Sequence, residues 1–400
     1  MTEEPMAETV GETPHYQGSA IFSYGFRPFF LTASLFAGFA VPVWILILAG
    51  ETDMTWQYPA REWHVHEMVF GFLPAVMTGF LLTAIPNWTD RPPVRGIPLM
   101  LLLTLWLAGR IAIATAWVNP LLSAFVDGAF LVVVTGILWR EIAVGQAWDR
   151  LPIGFLISLY AFANILFHVS FLRGEAADFP GRMALALVMV LLALIGGRIT
   201  PSFTQDFLAD QGMTEQTATF SRMDGLSIIL VVVASVAWIV YPRVSATGWM
   251  LVAAGLTNLV RLLRWHGWLT WREPLVLILH LGYGWLVISL LIIGGAILGL
   301  GLPEVDAVHA LTTGAVGVMT LAVMTRASLG HTGRPKHAGI MTILIYLMVN
   351  LGAILRLLGP STAFATLPVL SLAAVCWSGA YMLFVVVYGP MLLRPSLEEQ

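Results

Sequence analysis

The sequence predicts an all-α, polytopic integral membrane protein with twelve transmembrane helices and both termini in the cytoplasm. Three observations carry this: a very apolar composition, apolar runs of membrane-spanning length, and arginines gathered on alternate connections. Of the 400 residues, 58% are hydrophobic and only 11% are charged, against about 25% charged in an ordinary soluble domain. A water-soluble fold of this length could not hide so much apolar surface, so lipid is its solvent. A transmembrane helix needs roughly 20 apolar residues. Such runs occur near 28–49, 64–86, 97–117, 121–139, 151–171, 183–199, 225–241, 247–264, 274–300, 307–329, 338–358 and 365–389. They are continuous and do not alternate with polar residues, which argues against a β-barrel. Helices follow, because backbone groups in lipid must be satisfied within the chain.

The single membrane domain is expected over residues 23–392, between a polar tail at 1–22 and a short tail at 393–400. The first twenty residues are acidic and polar, the reverse of a signal peptide's basic start, so the first span is expected to serve as its own insertion signal. With a cytoplasmic N-terminus, one side carries Arg27, Arg91, Arg95, Arg140, Arg150, Arg198, Arg222, Arg261, Arg264, Arg272, Arg326, Arg334, Lys336 and Arg394. The other carries Arg61, Arg173, Arg182 and Arg243, while Arg110 and Arg356 fall inside spans. Fourteen against four is the bias expected of cytoplasmic loops, and an error of one in the span count would destroy it. Only the connection at 200–224 is long and polar enough to hold an interfacial helix. The net charge of −3 and the lack of a basic stripe exclude nucleic acid as a partner. The one cysteine, Cys376, excludes a disulfide framework and reads as a small buried hydrophobe.

One internal echo stands out. His66 to Pro92 and His309 to Pro335 are each 27 residues long and share six identities: the His, a Gly five residues on, an Ala, and the ending Thr-x-Arg-Pro. They occupy spans 2 and 10, which run in the same direction, and each places a His at the outer end.

Histidines are the chain's functional equipment, since an ionisable group in the membrane is costly and neutral imidazole is the commonest metal ligand. Of the nine, His15, His266 and His337 fall in the tail or in polar loops and read as solvated. His168 ends span 5 on the outer side, as an interfacial residue or a distant member of a site. His64, His66, His280, His309 and His331 remain as candidate cofactor ligands. His309 and His331 are 22 residues apart, about 33 Å along one helix, so they cannot share a metal. His64, His66 and His309 form an outer group and are the candidate metal ligands; His331, with His280 nearer the inner side, forms an inner one. His64 and His66 sit at i, i+2, about 200° apart on a regular helix. They share one ion only if the helix start is irregular; otherwise they support one another or serve different centres.

Glu67 follows His66 and is either a carboxylate on a helix N-terminus or a partner of an imidazole and part of a proton path. Arg326 and Arg27 lie at span ends, where they snorkel or hold a carboxylate. Asp53 and Glu62 are further proton-path candidates. Met68, Met77, Met319 and Met324 offer thioethers that suit Cu(I), but core filling accounts for them. No phosphate loop, CxxC, CxxCH or HExxH is present, so a haem would be held non-covalently.

Several long motifs remain: Phe22-Ser-Tyr-Gly-Phe-Arg-Pro-Phe-Phe30, Trp63-His-Val-His-Glu-Met-Val-Phe-Gly71, Gly79-Phe-Leu-Leu-Thr-Ala-Ile-Pro-Asn-Trp-Thr89, Leu279-His-Leu-Gly-Tyr283, His309-Ala-Leu-Thr312 and Met324-Thr-Arg-Ala-Ser-Leu-Gly-His-Thr-Gly-Arg334. In this order and over nearly the whole chain the set resembles the NnrS family. The resemblance implies a multi-pass protein of the bacterial inner membrane carrying haem, of b type and non-covalent, with copper possible. It implies a role in nitric oxide metabolism or resistance to nitrosative stress, with His64, His66, His280, His309 and His331 at the family's histidine positions. Nitric oxide and membrane lipid are the expected partners, with an electron donor still to be identified. Three functions are compatible: a membrane nitric oxide reductase, which leads; a non-catalytic protein that binds nitric oxide or protects cellular iron; and, behind both, a transporter.

Overall fold

The computed structural model describes residues 16–52, 56–214, 217, 219–301, 303–359 and 366–397; His15 and Asp53 lie outside them. Every expected span forms a helix: α1 (Phe26–Leu48), α2 (Ala60–Thr89), α3 (Ile97–Ile113), α4 (Pro120–Val144), α5 (Leu151–Leu172), α6 (Asp178–Asp210), α7 (Arg222–Val240), α8 (Ser245–Leu263), α9 (Pro274–Ile297), α10 (Glu304–Gly330), α11 (Ile340–Leu358) and α12 (Thr366–Leu392). There is no strand among the described residues. Eleven of these helices are long and apolar enough to cross a membrane, and α3 is a shorter apolar helix. It was expected to run to 117 but stops at Ile113, whose carbonyl accepts from the Gln57 amide at 3.2 Å. The polar stretch after 200 holds no separate helix. Instead α6 continues through it to Asp210, burying Thr200, Thr204 and Leu208 at a spacing of four while its other side stays polar.

Successive helices pack side by side around a ring that α12 and α1 close, while α2, α6 and α10 lie towards the centre. The apolar window of α2 is 78% buried and that of α1 only 22%, so the histidine-bearing helix is an interior one. Outer helices present Phe39, Ile97, Phe125, Ile229, Leu347 and Val386 outwards, an apolar surface far beyond what a soluble monomer exposes. Arg27 closes the ring by donating to the carbonyls of Leu392 (3.1 Å) and Arg394 (2.5 Å). The two ends of the described chain therefore lie together, at one end of the bundle.

The three central helices share a defect. Each contains a π-helical turn, at Glu67–Phe72 in α2, Leu192–Gly196 in α6 and Ala310–Val316 in α10. In α2 and α10 the turn begins at the residue after His66 and His309, so the two echoing segments have the same local shape. A π-turn disturbs the helical hydrogen-bond ladder, and in lipid no water replaces what is lost. Side chains from neighbouring helices accept that role. Trp106 donates to the Gly71 carbonyl at 2.9 Å, and the Tyr160 hydroxyl to that of Val69. Arg261 donates to Ala193 and Gly197 at 2.9 and 3.1 Å. Trp377 and Tyr381 donate to Thr313 and Gly317 at 3.3 and 3.2 Å.

The arginine distribution leads to the expectation that the end holding the termini is cytoplasmic, and thiol labelling checks it. In a Cys376→Ser background, Glu175→Cys should react with a membrane-impermeant maleimide from outside spheroplasts. Gln211→Cys should react only after permeabilisation. The opposite pattern reverses the orientation.

Candidate metal centre

The first turns of α2, α4 and the last turn of α5 meet at the end of the bundle remote from the termini. Here His66, Asp127 and His168, all buried, bring one imidazole or carboxylate atom each to within 4.8 Å of the others. His168 Nε2 lies 2.9 Å and His66 Nε2 3.2 Å from the same atom, Asp127 Oδ2. Each imidazole is held by its other nitrogen. His66 Nδ1 is 3.0 Å from Glu67 Oε1, and His168 Nδ1 shares a hydrogen bond with the Tyr58 hydroxyl. Asn164 Nδ2 donates to Asp127 Oδ2 at 3.0 Å.

Arg110 from α3 joins the two carboxylates. Its Nη1 donates to Glu67 Oε1 at 2.6 Å and its Nη2 to Asp127 Oδ1. Room for the guanidinium comes from Gly71 in the π-turn, where a Cβ would lie 2.2 Å from Arg110 Nη1. Two buried carboxylates thus face one buried arginine, leaving a formal charge of −1 sealed from water. An unbalanced buried charge is costly, and a bound cation would remove it.

The outer histidines do not stay together. His64 faces away from His66, stacking on Trp44 with ring centroids 4.5 Å apart and planes 9° apart. It lies within electrostatic reach of His309 and Arg356. His309 Nδ1 donates to the Val305 carbonyl at 2.8 Å and lies 3.1 Å from Arg356 Nη2; Arg356 in turn holds Asp306 at 2.9 Å. Of the three arrangements the i, i+2 spacing left open, the structure keeps the two rings apart, in different surroundings.

At the opposite end, His331 closes α10 and faces a cavity of about 1080 Å³ between α2, α5, α6, α8 and α10. Phe30, Phe80, Trp88, Phe203 and Trp265 supply apolar wall, and Arg150, Arg198, Arg326 and Lys336 supply positive charge. The Arg326 guanidinium lies 3.9 Å from the centre of the Phe203 ring. Burial, then the charges of Lys336 and Arg27, push the His331 imidazole below its ordinary pKa, which keeps it in the neutral form that binds metals. A smaller apolar cavity of about 100 Å³ lies deeper between α2, α5, α6 and α10, sharing Phe80, Ile195, Ile199 and Val323 with the large one.

The remaining candidates have local partners. His280 is not part of the large cavity; its Nε2 is 2.8 Å from the Thr204 hydroxyl. Glu67 lies in the centre as described, Arg326 lines the cavity, and Arg27 ties α1 to the end of α12. Glu62 pairs with Arg61 at 3.3 Å, and His337 with Glu273. Met319 and Met324 are buried in the apolar core, against which Met68 and Met77 pack. Asp127, Tyr58 and Asn164 entered no sequence-based ligand set, and His168 entered only as an interfacial residue or a distant member of a site. Asp127 carried a usable signal: it is the one carboxylate in the apolar run 121–139, where an ionisable residue marks a site by default.

Residues 20–396 match the family model described as NnrS protein. The chain belongs to the NnrS family. Family membership agrees with the motifs of α1, α2, α9 and α10 and makes this a membrane protein of the nitric oxide response. No curated protein matches the chain.

The centre should be fragile to loss of its cation. Arg110→Leu removes the buried guanidinium that both Asp127 and Glu67 face, and should lower stability by about 3–5 kcal/mol. Thermal unfolding of the purified protein in detergent measures it, with Arg61→Leu at the exposed pair as the control that changes little.

Proposed function

We propose that this protein reduces nitric oxide in the bacterial inner membrane, using haem and a metal held at the outer end of the bundle. The observation that carries the reading is the buried His66–Asp127–His168 cluster, with two imidazole nitrogens converging on one carboxylate oxygen. The reaction is 2 NO + 2 e⁻ + 2 H⁺ → N₂O + H₂O, and the two electrons come from an external one-electron donor.

Haem fits the large cavity. The volume is large enough for a macrocycle between aromatic walls, His331 would hold the iron through a ring nitrogen, and Arg150, Arg198, Arg326 and Lys336 would hold the propionates. When bound, haem iron would supply a redox-active position for nitric oxide. His64 and His309 supply a second imidazole pair, where the copper implied by family membership would find nitrogen donors. Nitric oxide is small and apolar, and the deeper apolar cavity suits its passage. At the outer cluster Glu67, Arg110 and Tyr58 form a hydrogen-bonded set around the imidazoles, suited to holding protons at that end of the bundle.

The sealing of the outer cluster favours a second reading, a protein that binds nitric oxide or shields iron without turnover. Purified protein given nitric oxide and a reductant separates the two. The reductase reading expects N₂O at one molecule per two nitric oxide consumed. Spectral change with nitric oxide left unconsumed would overturn it in favour of the binding protein. His331→Ala should lose haem absorption while the protein still folds and purifies; unchanged haem content would remove His331 from the site.

A further inference from the structure

We infer that His66, Asp127 and His168 form a non-haem iron(II) site, and not the copper site that family membership suggests. The inference deepens the reading of the outer cluster but concerns only what the cluster binds.

Spacing comes first. Bonds of about 2.1 Å from one first-row dication to nitrogen or oxygen put donors at right angles to each other about 3.0 Å apart. The observed separations from Asp127 Oδ2 are 2.9 Å to His168 Nε2 and 3.2 Å to His66 Nε2. The donors are therefore already placed for neighbouring vertices of an octahedron.

Orientation comes second. The Glu67 carboxylate accepts from His66 Nδ1, so the His66 lone pair sits on Nε2, aimed at the cluster. That atom is buried without a hydrogen-bond partner. So is Asn164 Oδ1 in the same cluster, on a residue 1% exposed. The two residues are in side-chain contact, yet neither atom makes a well-formed hydrogen bond, and buried polar atoms left so are costly. A metal ion takes the first, and a water bound to that metal donates to the second. Imidazoles gripped at Nδ1 by a carboxylate and a tyrosine are the usual second layer of a metal centre.

Donor chemistry narrows the metal, although imidazole and carboxylate also serve copper and zinc. Cu(I) selects thiolate and thioether sulfur, and neither is among the clustered donors; Cys376 lies on α12, away from the cluster. Two histidines and one carboxylate with open positions are the donor set of non-haem Fe(II) centres. A dication would carry the site from the −1 that Arg110 leaves to +1, a charge that one anionic ligand at an open position cancels. Three protein donors leave half of an octahedron for exogenous ligands, beside the rings of Tyr58 and Phe167.

The test uses the full-length protein purified without oxygen. Total iron is compared with haem iron, and copper and zinc are counted in the same sample. The expectation is one iron per chain beyond haem. His168→Gln should remove that iron and leave haem in place. Nitric oxide added to the reduced wild type should give the half-integer-spin EPR signal of a high-spin ferrous nitrosyl, absent from His168→Gln. Tyr58→Phe, which keeps all three donors, should weaken iron(II) binding by about 10–100-fold and guards against a misfolded ligand variant. Copper or zinc that disappears with His168→Gln would overturn the inference, as would non-haem iron indifferent to both substitutions. Metal content is read without turnover, so iron without N₂O would sink the reductase reading alone, and N₂O production with copper here would sink this inference alone.

Discussion

The need to satisfy every backbone polar group without water shapes this molecule more than any other constraint. Regular helices meet it by themselves. The three central helices do not, because each contains a π-turn. Their stability depends on side-chain donors from outside: Trp106 and Tyr160 for α2, Arg261 for α6, Trp377 and Tyr381 for α10. The donors fix how the surrounding helices rotate about their axes, so the interior defects dictate the packing around them. The turns also shift the helix register just beyond His66 and His309, the residues that lead into the two outer clusters.

Charge is handled by the same economy. Arg110 reaches both Glu67 and Asp127 because Gly71 leaves its path open. In the other half Arg261 holds Asp224 at 3.0 Å while donating to the α6 carbonyls. Arg261 thus serves an acid and a bulged helix together, while Arg110 serves two acids. The difference is that Arg261 and Arg264 outnumber their acid, whereas Arg110 is outnumbered by its two. The deficit lies where the imidazoles gather.

Much of the fold was legible in the sequence, because apolar run length reports directly on lipid exposure. The echo between His66–Pro92 and His309–Pro335 also carried structural meaning, since both segments bend at the same place. The site was legible only in part. Histidines at His64 and His66 were visible, but their separation into two clusters depends on which neighbours each face meets. Asp127 and His168 are 41 residues apart and join His66 only through packing of three helices, which no local spacing encodes. The π-turns were invisible because their sequences differ little from those of ordinary apolar helix. The extension of α6 to Asp210 was missed because a half-buried helix end looks, by composition, like a loop.

The clasp between Arg27 and the far end of the chain bears on how the protein is made. Its partners, Leu392 and Arg394, are 365 and 367 residues later, so the first helix to emerge is the last to be fastened. Until synthesis ends, α1 lacks both its neighbour α12 and the carbonyls that receive its buried guanidinium. Contacts of such long sequence separation form late and leave intermediates with unpaired surfaces. The bundle is therefore a ring latched between helices far apart in sequence, and a chain cut before Leu392 would leave it open.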